Sequence, residues 1–230
     1  MKRESLRANM SRWGLGRTFF AGFMSCLRTY AGIHIYRVNL RPLARRSAAP
    51  LQLPAGISLC IVPPPILLDA ANDPELDMES GFVRAAIARG DVTFGAFDGD
   101  QLIAYVWRPF GAAPDADGLW VKVDPPYHYA YKAFTLPAYR GKRIHIALSH
   151  MSDDYFLDRG YTAEVGFSEI SNFSGIAAAD FIGRRRVGFA GYVKWFGRAV
   201  PFRTAGAKRV GFKLFEPQPS DDRLFQYRRV

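Results

Sequence analysis

The chain has 230 residues, 49% of them apolar and 23% charged, with a net charge of +10 and two cysteines. This length and apolar content allow one sizeable hydrophobic core, so we expect one domain. Cys26 and Cys60 are too few and too far apart in sequence for a zinc motif, which excludes zinc-finger and disulfide-scaffold classes. We therefore expect no metal, a reducing compartment and a cytoplasmic location.

Charge is divided unequally along the chain. Residues 1–46 carry ten Lys or Arg against one acid, residues 47–182 carry nine against seventeen, and residues 183–230 carry twelve against three. The two basic ends favour a polyanionic partner: nucleic acid, an anionic membrane, an acidic polysaccharide precursor or an acyl carrier protein. The sequence contains no nucleic-acid-binding motif, so nucleic acid is the least favoured of these partners.

A basic extension, residues 1–50, precedes the predicted domain. One helical face of this extension carries five large apolar side chains, namely Phe19, Phe20, Phe23, Met24 and Leu27. This pattern predicts an amphipathic helix that packs on the domain, fits a partner's groove or lies peripherally on a membrane. The apolar stretch is much shorter than the roughly 20 residues that span a bilayer. An Arg-rich, acid-poor start also fits a transit peptide, which stays an alternative.

Residues 51–215 form the predicted domain, and residues 216–230 form a C-terminal tail. The pattern predicts a strand at 57–62 and a helix at 78–88. Alternating segments around the turn residues Asp98-Gly99-Asp100 predict a hairpin. The strands of this hairpin are expected at 92–97 and 102–107. Further strands are expected, in chain order, at 127–136, 161–167, 187–196 and 210–215.

A basic loop follows the aromatic strand predicted at 127–136. The segment 140–143, Arg-Gly-Lys-Arg, holds three of the nine cations of the acidic middle block. A helix is predicted at 143–158, and its first turn would direct free backbone N–H groups and the positive end of the helix dipole at this loop. The loop therefore predicts a phosphate site at the end of a strand.

The order of these elements resembles that of the GNAT superfamily of N-acyltransferases, most clearly over residues 92–192. Tyr139-Arg140-Gly141-Lys142 matches the common opening of the family's loop for the pyrophosphate of acyl-coenzyme A, and Leu136-Pro137 matches the residues before it. Asn172 and Gly183 match a later Asn and Gly. The resemblance implies an α/β (α+β) fold with a central mixed, mostly antiparallel sheet flanked by helices.

Three positions depart from the family pattern. Arg143 and His145 stand where the loop usually has glycines. Ala179 stands where many members have a tyrosine that protonates the leaving thiolate. A thiol with a pKa of about 8.5 leaves as thiolate without much help, so this departure is compatible with catalysis.

The resemblance implies acetyl-coenzyme A, or a longer acyl-coenzyme A, as donor and a primary amine on a small molecule as acceptor. The residues expected to hold the donor lie on the strand edge, the basic loop, the first helical turn and the later Asn. They are Phe134, Thr135, Leu136, Arg140, Gly141, Lys142, Arg143, Ile144, His145 and Asn172.

Acyl transfer also needs a base for the proton of the attacking amine. Glu164 is the first candidate, because a charged side chain seldom lies in a half-buried strand without a partner or a function. Glu169 is a further candidate and is expected in the loop after that strand. Tyr129, Tyr131 and His128 are candidates on the aromatic strand, with packing as their ordinary explanation. The alternatives to this enzyme are an acyltransferase that uses an acyl carrier protein and a GNAT-like basic protein that binds a polyanion without catalysis. The oligomeric state is left open.

Overall fold

The computed structural model describes residues 14–45 and 53–217, in which helices and strands alternate. The helices are α1 (Leu15–Ala31), α2 (Pro64–Ala70), α3 (Ser80–Arg89), α4 (Ile144–Leu157), α5 (Phe173–Phe181) and α6 (Ala205–Arg209). The strands are β1 (Ile33–Pro42), β2 (Ile57–Ile61), β3 (Val92–Asp98), β4 (Gln101–Arg108), β5 (Ala113–Pro114), β6 (Trp120–Lys122), β7 (Tyr127–Tyr129), β8 (Lys132–Thr135), β9 (Ala163–Glu169), β10 (Arg185–Trp195), β11 (Arg198–Arg203) and β12 (Lys213–Phe215). Of the predicted tail, only residues 216 and 217 lie within the described residues.

The strands form a five-stranded sheet in the order β11-β10-β1-β9-β7, a four-stranded sheet β2-β3-β4-β8 and a small sheet β12-β6-β5. Neighbouring strands pair antiparallel except β7 and β9, which are parallel. Helix α4 packs on β3 and β4, α5 on β9 and α1 on β1. The predicted fold class, a mixed and mostly antiparallel α/β arrangement flanked by helices, is confirmed.

Strand β1 is an element that the sequence analysis missed, because it assigned residues 1–50 to an extension. This strand pairs with β10 on one side and β9 on the other, and Val38 at its centre is fully buried. Arg37 and Arg41 interrupt the apolar alternation of β1, but each is paired, with Asp180 of α5 and Asp153 of α4. The division at residue 50 stays a prediction, although a unit that begins there lacks the middle strand of its sheet.

The prediction of one continuous strand at 127–136 is wrong, and the difference affects the candidate site. Its first half, β7, pairs with β9 of the five-stranded sheet, and its second half, β8, pairs with β4 of the four-stranded sheet. Ala130 and Tyr131 connect the two halves. The chain therefore crosses from one sheet to the other at this point, and Tyr131 lies in the connection rather than in a strand.

The other predicted elements lie close to their expected positions. The helix predicted at 143–158 is α4, the helix predicted at 78–88 is α3, and the predicted hairpin is β3–β4 with Gly99 at a φ of 57°. The predicted amphipathic helix is α1. Among residues 14–45 and 53–217, no helix has both the length and the apolar content to cross a bilayer.

Candidate functional site

A cleft opens where β8 and β9 separate. Strand β7 pairs with β9 only from Ala163 to Val165, so residues 166–169 of β9 and the free edge of β8 face each other across a gap. The gap holds a cavity of about 660 Å³ that α4 and α5 also line. Its polar and small lining residues include Tyr131, Lys132, His145, Ser168, Asn172 and Ala179.

A second cavity of about 380 Å³ adjoins the first and lies over the basic loop. The two cavities share His145, Ile146 and Phe181, so they form one groove. Six of the predicted donor-binding residues line the loop end of this groove, namely Thr135, Arg140, Gly141, Arg143, Ile144 and His145. The fold thus brings most of the predicted donor site together.

The loop backbone has the positive φ angles typical of glycine, although Arg143 stands where the family pattern has a glycine. Gly141 has a φ of 78° and Arg143 a φ of 61°, both in the left-handed region that favours glycine. Arg143 caps α4, and its carbonyl accepts the N–H groups of Ile146 and Ala147 at 3.0 and 3.2 Å. The earlier N–H groups of the first turn have no carbonyl of their own helix to reach, so they are available to an anion.

The three loop cations lie on the surface at this end of the groove. The Arg140 Nε donates to the Thr135 carbonyl at 3.1 Å, which directs the guanidinium along the end of β8. The Lys142 Nζ lies 4.6 Å from the ring centre of Tyr139. A Cβ added at Gly141 would find no heavy atom within 4 Å, so the backbone there is open to close approach. Cations, an open glycine and a helix N-terminus together fit a pyrophosphate.

The remaining donor-site predictions lie in supporting positions. The Phe134 ring stacks on Tyr105 with centroids 5.8 Å apart, and the buried Leu136 donates its N–H to the Ile103 carbonyl. Asn172 lines the larger cavity, but its Oδ1 accepts the N–H of Gly175 at 2.9 Å and so caps α5. The structure therefore gives Asn172 a local structural role at the edge of the cleft.

Glu164, the first candidate for the base, is fully buried beneath α4 and is not suited to that role. Its carboxylate accepts hydrogen bonds from three guanidinium groups, those of Arg41, Arg108 and Arg184. Burial by itself raises the pKa of Glu164, but the positive charges of these arginines outweigh burial and hold the pKa well below its ordinary value. A carboxylate bound in this way is a weak base and serves as the centre of a buried ion cluster.

The two tyrosine candidates also have satisfied hydroxyl groups. The Tyr129 hydroxyl is buried and donates to the Val121 carbonyl at 2.6 Å. The Tyr131 hydroxyl donates to the Asp91 carboxylate at 2.8 Å, although its ring lines the cleft. Burial raises the pKa of both phenols, so neither loses its proton near neutral pH.

Glu169 and His128 lie away from the lining of the groove. Glu169 ends β9, where it pairs with Arg28 of α1, and His34 lies 3.7 Å from its carboxylate. His128 is buried and stacks on Phe156 with centroids 3.9 Å apart, and burial lowers its pKa to about 3. The structure thus gives both candidates packing or pairing roles.

His145 is the titratable side chain that lines both cavities. Burial, followed by the positive charge of Arg108, lowers its pKa to about 4, so its ring is neutral at pH 7. No carboxylate lines either of the two cavities. The groove therefore offers hydrogen-bonding groups and positioning rather than a strong base.

Phe181 and Arg184 are among the groove residues that sequence reasoning missed. Phe181 is 77% exposed and lines both cavities, whereas Arg184 lines the larger cavity while pairing with Glu164. Arg184 begins the run 184–186 of the basic block 183–230, for which the sequence analysis considered only a polyanionic partner. This arginine is held at the cleft by the buried carboxylate, and sequence spacing does not report such a contact.

No protein-family model matches the sequence, and no curated protein matches it closely enough to count as a relative. Three solved structures resemble this chain in fold. A tandem GNAT protein from the clavulanic acid biosynthesis pathway is 16% identical, with 71% of this chain and 55% of that one covered and a TM-score of 0.47. A GCN5-related N-acetyltransferase from Sphaerobacter thermophilus is 11% identical, with 70% and 50% covered and a TM-score of 0.48. An aminoglycoside antibiotic 6'-N-acetyltransferase from Acinetobacter baumannii is 16% identical, with 56% and 90% covered and a TM-score of 0.42.

These similarities concern the fold and do not identify a substrate. This chain spans about half the length of the first two proteins. The family that the loop and its neighbouring residues resemble is also the family of these three solved structures. The chain is similar in fold to GNAT acetyltransferases, with low sequence identity.

Proposed function

We propose that the chain transfers an acyl group, in the first instance acetyl, from acyl-coenzyme A to a primary amine on a small molecule. The groove between β8 and β9 carries this proposal, because one end combines loop cations with a helix N-terminus and the other end separates two strands. Anionic phosphates suit the first end, and an extended arm suits the free edge of β8.

The donor supplies an activated thioester, and the chain supplies its binding and orientation. Arg140, Lys142 and Arg143 hold the pyrophosphate together with the N–H groups of the first turn of α4. The backbone of β8 runs along the arm, which directs the thioester to the part of the cleft lined by Tyr131 and Ser168. This assignment follows from the position of the loop at the end of the groove.

In the reaction the amine nitrogen attacks the thioester carbonyl, the C–N bond forms, and the C–S bond breaks with release of a thiolate. The ammonium proton passes to water, since no carboxylate lines the two cavities. Holding the amine against the thioester supplies several kcal/mol without an exceptional side chain. Catalysis in this proposal rests on positioning.

The first test is titration calorimetry of the full chain with acetyl-coenzyme A, coenzyme A and a long-chain acyl-coenzyme A. We expect one saturable site per chain. The double variant Arg140→Ala/Arg143→Ala removes two cations from the groove and should weaken binding at least roughly tenfold, as expected for lost phosphate contacts.

The matched control for this test is Lys208→Ala/Arg209→Ala, which removes two exposed cations from α6, outside the groove. Equal losses in both variants would mean that net charge alone attracts the ligand, and the chain would then be a polyanion-binding protein. Unchanged affinity in the groove variant would contradict the assignment of the loop. No binding by any of the three compounds would favour an acyl carrier protein as donor.

A further inference from the structure

Helix α1 turns an apolar stripe toward solvent. Leu15, Phe19, Phe23 and Tyr30 are 59%, 75%, 60% and 87% exposed. Their spacing places them on one side of the helix, with the exposed Cys26 among them. A helix on a folded domain normally directs its apolar side chains inward, so this stripe needs an occupant outside the described residues.

The orientation of α1 is fixed by contacts on its other sides. Thr18 and Met24 are buried, the Phe20 ring lies 6.2 Å from the ring of Phe173 in α5, and Arg28 pairs with Glu169 of β9. The stripe therefore stays outside while the opposite side of α1 packs on the domain.

The hairpin β10–β11 lies next to the C-terminal end of α1. The Lys194 N–H donates to the Gly32 carbonyl at 2.9 Å, which brings the end of α1 to the hairpin tip. Beside this bond, Trp195 and Phe196 are 65% and 91% exposed. We call the six residues of the helix and the tip the apolar face: Leu15, Phe19, Phe23, Tyr30, Trp195 and Phe196. Exposed apolar surface of this kind marks an interaction site.

The two elements that carry the apolar face are basic in sequence. Helix α1 contains Arg17 and Arg28 and no acid, and residues 185–203 of the hairpin contain five Lys or Arg and no acid. Arg17 and Arg28 lie on the domain side of α1, where Arg17 is 5.5 Å from the ring of Phe173 and Arg28 pairs with Glu169. At the hairpin tip Lys194 pairs with Asp117, and the exposed Arg198 pairs across the hairpin with Trp195. Large exposed aromatic side chains on a chain with a net charge of +10, with Arg198 at the tip, suit the surface of a bilayer that contains anionic lipid.

We propose that the apolar face binds the surface of an anionic lipid bilayer, with its aromatic side chains at the boundary between headgroups and acyl chains. The exposed Arg198 at the hairpin tip contacts the headgroups, while α1 lies in the plane of the surface. The apolar face lies on other residues than the acyl-donor groove, so lipid binding does not depend on the proposed acyl transfer.

The test is flotation of the full chain with vesicles of phosphatidylcholine alone and of phosphatidylcholine with phosphatidylglycerol, at physiological salt. We expect binding to the anionic vesicles. The variant Phe19→Gln/Phe23→Gln keeps the net charge and the helix and should reduce vesicle binding roughly tenfold or more, because two aromatic side chains no longer enter the boundary. The control Ile61→Gln/Ile66→Gln changes two exposed apolar residues of β2 and α2 and should bind as the parent does.

A second measurement reports insertion at one position. Cys26 is exposed on the stripe, so a polarity-sensitive fluorophore can be attached to it in a Cys60→Ser background. We expect a blue shift on addition of the anionic vesicles. Equal binding by both Gln variants, or no blue shift at Cys26, would overturn the proposal. Light scattering that shows a dimer which Phe19→Gln/Phe23→Gln dissociates, without vesicle binding, would assign the face to a second copy of the chain.

Discussion

At the scale of single residues, Glu164 illustrates how neighbours decide the role of a carboxylate. Its two oxygens accept from Arg41 at 2.8 Å, from Arg184 at 2.6 Å and from Arg108. Arg41 also donates to Asp153 of α4, so the cluster joins β1, β4, β9 and α4. The cluster fixes both sheets under one helix, and the groove opens beside it.

We expect Glu164→Gln to lower the free energy of unfolding by about 3 kcal/mol at pH 7, because it leaves Arg108 and Arg184 without a counter-charge and Arg41 with Asp153 alone. The folded pKa of Glu164 lies below its unfolded value, so its contribution is present above about pH 4.5 and is lost as the pH falls. The free energy of unfolding of the variant should therefore decrease less steeply below that pH than that of the parent protein. Urea unfolding across pH 3–7 measures both effects.

The control for this variant is Glu75→Gln at an exposed acid, which should change the free energy of unfolding by less than about 0.5 kcal/mol. A stable Glu164→Gln protein that has lost turnover, with donor affinity intact, would restore Glu164 as a base.

At the scale of elements, the loop before α4 places two conflicting requirements on the residue at position 143. The backbone needs a left-handed residue at 143, where Arg143 has a φ of 61°, and the proposed phosphate site benefits from a cation there. A left-handed conformation costs a residue with a Cβ about 1 kcal/mol. The chain keeps the cation at this cost.

Two variants separate these requirements. Arg143→Gly should raise the free energy of unfolding by about 1 kcal/mol relative to Arg143→Ala, because glycine adopts a positive φ without strain. Both should weaken acetyl-coenzyme A binding to a similar extent, because both lose the guanidinium. Urea unfolding and titration calorimetry provide the two readouts. Equal stability of the two variants would contradict the strained conformation, and unequal affinities would mean that backbone shape rather than charge limits binding.

At the scale of the whole molecule, the N-terminal region belongs to the sheet. Strand β1 lies between β9 and β10 and buries Tyr36 and Val38 in the core beside the small sheet. Its arginine at position 41 also supplies one of the guanidinium groups of the Glu164 cluster. The molecule therefore depends on residues that the sequence pattern assigns to an extension.

A chain that begins at residue 51 should fail to unfold cooperatively, since it loses the middle strand of the five-stranded sheet. A chain that begins at Gly32 keeps β1 and loses α1, and it should retain a cooperative transition at reduced stability. Thermal unfolding by circular dichroism compares the two. Cooperative unfolding of the shorter chain would show that the predicted boundary at residue 50 is the true edge of the domain.

The local features of this protein were predictable from its sequence alone. The helix at 143–158, the hairpin around Gly99 and the cationic loop follow from apolar spacing, turn residues and charge, all of which act within a few residues. The loop and the residues near it also carried the resemblance to GNAT proteins. These features predicted most of the residues that line the loop end of the groove.

Features that depend on partners distant in the chain could be recognised only in the folded molecule. The break between β7 and β8 arises because Tyr129 and Lys132 pair with different sheets, and no local signal distinguishes it from a continuous strand. Glu164 is a buried ion-pair centre because Arg41, Arg108 and Arg184 converge on it from other elements. Burial and charge pairing are sums over the whole fold, so they change the chemistry of a residue without changing its sequence context.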